Sequence, residues 1–216
     1  MAREQRRLAA ILAADVVGYS RMMGRDESGT LARLREHRKQ GFEPTLARHG
    51  GRLVKLTGDG ALAEFPSAVD ALGAAIEFQQ AMSQANRDQP EDTRIVFRIG
   101  LHLGDLIVDG DDLYGDGVNV AARLEAEAPP GGIVISGDVH NAVAGRLKAA
   151  FADLGELSLK NIERPVRVIA RLLEHAPGYT VSEVRRHHEF DMNSPFKGPG
   201  VAESLYRGLR LAGLPE

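Results

Sequence analysis

Arg52-Leu53-Val54-Lys55-Leu56-Thr57-Gly58-Asp59-Gly60-Ala61-Leu62-Ala63-Glu64-Phe65 reads as two strands joined by a tight turn. Residues 52–57 alternate, with Val54 and Leu56 on one face and Lys55 and Thr57 on the other. Gly58-Asp59-Gly60 has hairpin-turn chemistry, and residues 61–65 return as the second strand. Upstream, the apolar run Leu8-Ala9-Ala10-Ile11-Leu12-Ala13-Ala14 ends at Asp15 and reads as a buried strand over 7–14. Between that strand and the hairpin, Asp26 is placed to cap a helix carrying Leu31, Leu34 and Phe42, closed by Gly50-Gly51. Pro44 should kink or split that helix.

Downstream, Ser67 caps a second helix with Val69, Leu72 and Ile76 inward. A polar loop (86–92) leads to a long strand over 95–108. There Ile95, Phe97, Ile99, Leu101 and Leu103 alternate against Arg98 and His102. Asp109 to Asp112 read as an acidic loop, followed by a helix over 117–127. A strand at 133–136, a helix near 138–147 and strands at 151–158 and 166–173 complete the compact part. The order is βαββαβ with αβαβ-like additions, giving one unit over 1–174. Residues 175–216 form a tail or connector to which the sequence assigns no role, with a short helix near 202–211.

Composition narrows the function. Hydrophobic content of 43% and charged content of 26% describe a soluble globular protein. A net charge of −3 supplies no basic field for bulk nucleic-acid binding. No apolar window is long enough to span a bilayer. Arg3, Arg6 and Arg7 precede an apolar run that soon meets Asp15, which makes a poor signal peptide. The absence of cysteine excludes disulfides and thiol chemistry and fits a cytoplasmic protein.

The strand–helix–strand passage from 7–14 to 52–57 should leave its strands parallel. Asp15 and Asp59 then fall at one sheet edge. Two oxygen-ligand acids delivered there suit Mg²⁺ or Mn²⁺, which prefer carboxylates plus substrate phosphates. Alone, each acid is equally a turn residue; the shared edge is what sets the pair apart. Asn119 and Arg123 stand four apart on one helix and face the same direction. An arginine there can spread charge over a reacting phosphate, and an asparagine can hold a sugar oxygen. Lys55 and Asp112 offer a donor and an acceptor that complement N1 and the 6-amino group of adenine, whereas guanine presents the reverse pattern. Arg98 and Lys160 are candidate triphosphate ligands, although a salt bridge would satisfy Arg98 equally well. His102 reads as a packed sheet residue.

These residues resemble the catalytic domain of class III nucleotidyl cyclases, of the bacterial adenylate cyclase type. The resemblance runs over roughly 6–173. It rests on Ala14-Asp15-Val16-Val17-Gly18-Tyr19-Ser20, Lys55-Leu56-Thr57-Gly58-Asp59-Gly60 and Phe97-Arg98-Ile99-Gly100-Leu101-His102-Leu103-Gly104. The strongest match is Asp112-Leu113-Tyr114-Gly115-Asp116-Gly117-Val118-Asn119-Val120-Ala121-Ala122-Arg123-Leu124. It implies an α+β fold: a ferredoxin-like βαββαβ core with an antiparallel sheet, flanking helices and αβ additions. It also implies a head-to-tail homodimer with composite sites that turn ATP into cyclic AMP and pyrophosphate. In those sites Asp15 and Asp59 of one copy would hold two divalent metals. Lys55 and Asp112 of the other would read adenine, with Asn119 on the ribose and Arg123 on the transition state. By the same resemblance, Val16, Val17, Gly18, Tyr19 and Ser20 form a phosphate-cradling turn, and Arg98 and Lys160 contact the triphosphate. Tyr114 stands where the family often has tryptophan. The alternatives are a guanylate or mixed-specificity cyclase, and a catalytically silent nucleotide-binding or dimerisation module.

Overall fold

A computed structural model describes residues 5–109, 112–147 and 149–171. The expected tail, 175–216, and its helix near 202–211 lie outside the described residues. The first strand, β1 (Gln5–Val16), lies inside the sheet between two neighbours. Its Ala10, Leu12, Ala14 and Val16 pack on one face with Leu34, Phe65, Leu72 and Phe78. Its Ala9, Ile11 and Ala13 pack on the other with Leu62, Leu106 and Leu113. Covered on both faces, β1 reads as a continuous apolar run rather than an alternation.

From β1 the chain enters α1 (Tyr19–Arg25) and α2 (Glu27–His37). The Asp26 side chain accepts a hydrogen bond from the Gly29 amide at 2.9 Å and so caps α2 as expected. The helix does not break at Pro44. A π-helical turn (Arg38–Phe42) carries it into α3 (Glu43–Arg48), with Pro44 in the first turn of α3. Proline has no N–H and its ring crowds the carbonyl four residues back. A single widened turn lies just before it, where both deficits fall. The cap at Gly50-Gly51 leads into the hairpin, β2 (Arg52–Thr57) and β3 (Gly60–Phe65). Next comes α4 (Ala68–Ala85), where Ser67 Oγ accepts from the Asp70 amide at 3.3 Å. Leu72 of α4 is fully buried as expected, and Ala71, Ala75 and Phe78 carry more of its inner face than Val69 or Ile76.

The second half runs through β4 (Phe97–Asp109), β5 (Asp112–Tyr114), α5 (Asp116–Glu127), β6 (Ile133–Ser136), α6 (Gly137–Val143), β7 (Phe151–Leu157) and β8 (Val166–Arg171). The two ends of the stretch expected as an acidic loop, Asp109 and Asp112, belong to strands. β4 extends to Asp109 and β5 folds back on it, pairing Asp109 with Asp112. The helix expected near 138–147 ends at Val143.

The sheet order is β2-β3-β1-β4-β6-β8-β7, with β5 paired to β4. Its first four strands have the ferredoxin-like arrangement. There β1 is antiparallel to β3 and β4, and β3 is antiparallel to β2. β1 and β2 are therefore parallel across the intervening β3, and their C-terminal ends share an edge. The sheet is mixed rather than purely antiparallel, because β6 runs parallel to β4. The β4–α5–β6 passage is a crossover, which brings its strands out in the same direction.

Helices cover both faces. α4 and α6 contribute to the larger cluster with Phe78, Phe97 and Val143. On the opposite face α5 packs Val120 and Leu124 against Val134, Leu154 and Val168. Gly100 on β4 makes this docking close: a Cβ there would overlap the Glu125 amide nitrogen and the Ala121 carbonyl. No described helix is long and apolar enough to cross a membrane.

Candidate functional site

Asp15 and Asp59 meet. Asp15 is the penultimate residue of β1, and Asp59 sits at the tip of the β2–β3 turn. Their side chains lie within hydrogen-bond reach of one another. Burial first, and then the charge of Asp15, push the Asp59 carboxyl above the usual carboxylate range. A half-buried pair of like charges calls for a counter-cation.

Two arginines border the pair. Arg98 lies directly opposite Asp15 in the β1–β4 ladder, with Nη2 3.5 Å from Asp15 Oδ2. Its Nε is 3.3 Å from Glu125 Oε1, and its Nη1 donates to the Ala126 carbonyl at 3.4 Å. Arg98 is therefore ion-paired to Asp15 and Glu125, at the edge of the acid pair. Arg38, in the π turn, donates through Nη2 to the carbonyls of Gly58 and Gly60, at 2.8 and 3.0 Å. Glu125 faces the same cluster from α5 with only 13% of its side chain exposed. Burial pushes its carboxyl up to about 7, helped by Asp15 and Asp59 and opposed by Arg98. Sequence reading missed both Arg38 and Glu125; each looks like an ordinary charge on a helix surface.

Of the remaining candidates, only the turn after β1 adjoins the acids. Val16 is buried in β1 opposite Phe97, and the Val17 amide donates to the Val96 carbonyl at 2.9 Å. Gly18 has φ +68, a left-handed conformation that glycine adopts without strain, and α1 begins at Tyr19 and Ser20. This turn opens beside the end of β1. Lys55 follows an irregularity in β2, where the register shifts between Leu53 and Lys55. Lys55 therefore pairs with Leu62 and shares its face with Val54, contrary to the strict alternation expected. Leu56 pairs with Ala61 on the other face, 46% exposed. Asp112 opens β5, and β2 lies against β5, so the strands bearing Lys55 and Asp112 are neighbours.

Asn119 and Arg123 point away from their own chain's acids. At about 100° per residue the two side chains lie about 40° apart on α5, and Glu125 lies roughly 140° round from their midpoint. Glu125 marks the flank that faces Asp15, so Asn119 and Arg123 occupy the outer flank. Arg123 Nε donates to the Lys160 carbonyl at 3.0 Å, which brings Arg123 and the exposed Lys160 together after β7. His102 is mostly buried, and burial lowers its imidazole, as expected of a packed residue.

As a metal site the acid pair fits a hard divalent cation. The donors are carboxylate oxygens, they repel one another, and Arg38 engages the turn carbonyls instead of the carboxylates.

The family model described as the adenylate and guanylate cyclase catalytic domain matches residues 1–172. A Rhizobium meliloti (strain 1021) protein named "Putative adenylate cyclase 3" is 56% identical over 170 residues. That match covers 78% of this chain and 29% of the relative, so the chain spans under a third of that protein. The crystal structure of an adenylate/guanylate cyclase/hydrolase from Silicibacter pomeroyi is 47% identical with a TM-score of 0.75. It covers 79% of this chain and 99% of its own. The adenylyl cyclase CyaB from P. aeruginosa, at 22% identity and a TM-score of 0.70, covers 79% of this chain and 96% of its own and shares the fold. Ferredoxin-like core, paired edge acids and family match agree: the chain belongs to the class III nucleotidyl cyclase catalytic domain family.

Proposed function

We propose that this domain is an adenylate cyclase, converting ATP to 3′,5′-cyclic AMP and pyrophosphate at sites shared between two copies of the chain. The observation that carries the reading is the convergence of Asp15 and Asp59 at one sheet edge beside Arg98. In the reaction the ribose 3′-oxygen bonds to the α-phosphorus, the bond to the bridging oxygen of the β-phosphate breaks, and the 3′-hydroxyl proton is lost. Two divalent cations, when bound, neutralise the triphosphate and ease that deprotonation. Asp15 and Asp59 would hold them. The turn from Val16 to Ser20 and Arg98 would receive the phosphates, with Lys160 reaching the triphosphate from the other copy.

The orientation of α5 supports the composite arrangement. Asn119 and Arg123 occupy the flank turned from their own acids, so they serve the acids of a partner in a head-to-tail homodimer. Arg123, steadied by the Lys160 carbonyl, would spread charge over the transition state, and Asn119 would position the ribose. Lys55 would donate to adenine N1 and Asp112 accept from its 6-amino group.

The test mixes Asp15→Ala chains with Arg123→Ala chains, each inactive alone, and measures cyclic AMP from ATP with Mn²⁺. Statistical pairing puts one intact site in each mixed dimer and recovers about a quarter of the parental activity. No recovery refutes the shared site, and no cyclic AMP from the parent refutes the activity in favour of a silent nucleotide-binding module. A parallel GTP assay reads the specificity.

A further inference from the structure

We propose that Arg38 is a positioning residue: its guanidinium, set by the π turn, clamps the carbonyls on either side of Asp59 and holds that acid against Asp15. The inference rests on the reading of the acid pair as cation ligands.

The Gly58-Asp59-Gly60 turn is poorly equipped to hold its own acid. Gly58 lies at φ +65, and glycines on both sides leave the backbone unusually free. Beyond the Thr57–Gly60 ladder pair, Arg38 ties the turn down through one nitrogen that donates to Gly58 and Gly60, leaving only Asp59 between the two fixed points. Arg38 reaches across twenty residues of chain and is 8% exposed, so it is a buried strut.

The choice of acceptor is informative. An arginine bonded to the Asp59 carboxylate would compete with a cation for its oxygens. Arg38 instead bonds to main-chain carbonyls and acts on both acids only through its field. Arg38 therefore leaves the Asp59 carboxylate oxygens to a cation while its positive charge stands close by. The π turn explains how Arg38 gets there. The extra residue per turn shifts the helix register at Arg38–Phe42, so Arg38 turns to the hairpin while Phe42 packs edge-on against Phe78.

The experiment titrates metal-free protein with Mn²⁺ and follows free Mn²⁺ by electron paramagnetic resonance. The proteins are the parent, Asp59→Asn, Arg38→Met and Arg38→Lys, with circular dichroism to verify folding and cyclase assays alongside. Mn²⁺ affinity should fall about tenfold in Arg38→Met, in line with the loss of a group that orients a metal ligand. Arg38→Lys should recover part of it, and KM for Mn²⁺ should rise more than kcat falls. A purely structural arginine would lower the melting temperature of both variants and leave Mn²⁺ affinity unchanged, which overturns the proposal. Should Arg38→Met fail to fold, Arg38→Lys decides alone: parental affinity overturns the role and reduced affinity supports it. A parent that titrates like Asp59→Asn overturns the acid-pair reading itself, a result distinct from either of these.

Discussion

Replacing Glu125 by Gln should make the metal-free protein more stable at pH 8 and leave it nearly unchanged at pH 4. In the unfolded chain this carboxyl ionises near its ordinary 4.5, whereas in the fold it holds its proton to about 7. Burial is the main cause; Arg98 opposes it, and Asp15, Asp59 and Glu127 add to it. Because the folded value is the higher one, the stabilising contribution is complete below pH 4.5. It drains away as the pH rises to 7. At about 1.4 kcal/mol per tenfold, the gap from 4.5 to about 7 amounts to about 3 kcal/mol. Glutamine keeps the shape of the protonated acid without the charge and so avoids the loss. Thermal melts in EDTA, followed by circular dichroism, should show the variant ahead by roughly 6–12 °C at pH 8 for a domain of this size, and level with the parent at pH 4. A melting-temperature difference that stays constant from pH 4 to pH 8 would refute the buried-carboxyl argument.

Asp15→Ala and Asp59→Asn should each abolish cyclic AMP production. Asp59→Asn should raise the melting temperature of the metal-free protein at neutral pH, since it removes one of two repelling charges; a lower value would show that the pair is not under repulsion. Phe78 stacks edge-on between Phe42 and Phe97, with ring centroids 5.0 Å from each, so Phe78→Ala should cost about 3–5 kcal/mol in urea unfolding. Gly100→Ala would force a methyl into the α5 backbone and should cost about 3 kcal/mol or more, read in the same assay.

The legible parts of this fold are those where a periodic pattern meets a turn signal. β6 follows Pro129-Pro130-Gly131-Gly132 and was expected at the residues observed. The hairpin is marked by its glycines, and the helix expected over 117–127 is observed as α5 (Asp116–Glu127). Asp15 and Asp59 could be paired from topology alone, because a crossover determines which strand ends share an edge. The irregularities were invisible for a common reason: they change geometry without changing composition. The bulge at Leu53–Lys55 leaves the apolar alternation intact on paper while it turns Lys55 to the Val54 side. The π turn shifts helix register with no residue type to announce it. Arg38 binds two backbone carbonyls, and such acceptors exist at every position of a chain, so no side-chain motif points to them. Glu125 escaped notice because only the approach of α5 to Gly100 turns a surface carboxyl into a buried one.

That approach limits what a single copy can adjust. With main chain on main chain and no side chain in between, β4 and α5 travel as one block. The spacing from Asp15 to the outer flank of α5 is thus set when the chain folds. If the site is shared as proposed, its tuning would come from one copy sliding or pivoting over its mate, so an attached sensor would act best by steering how the two halves meet.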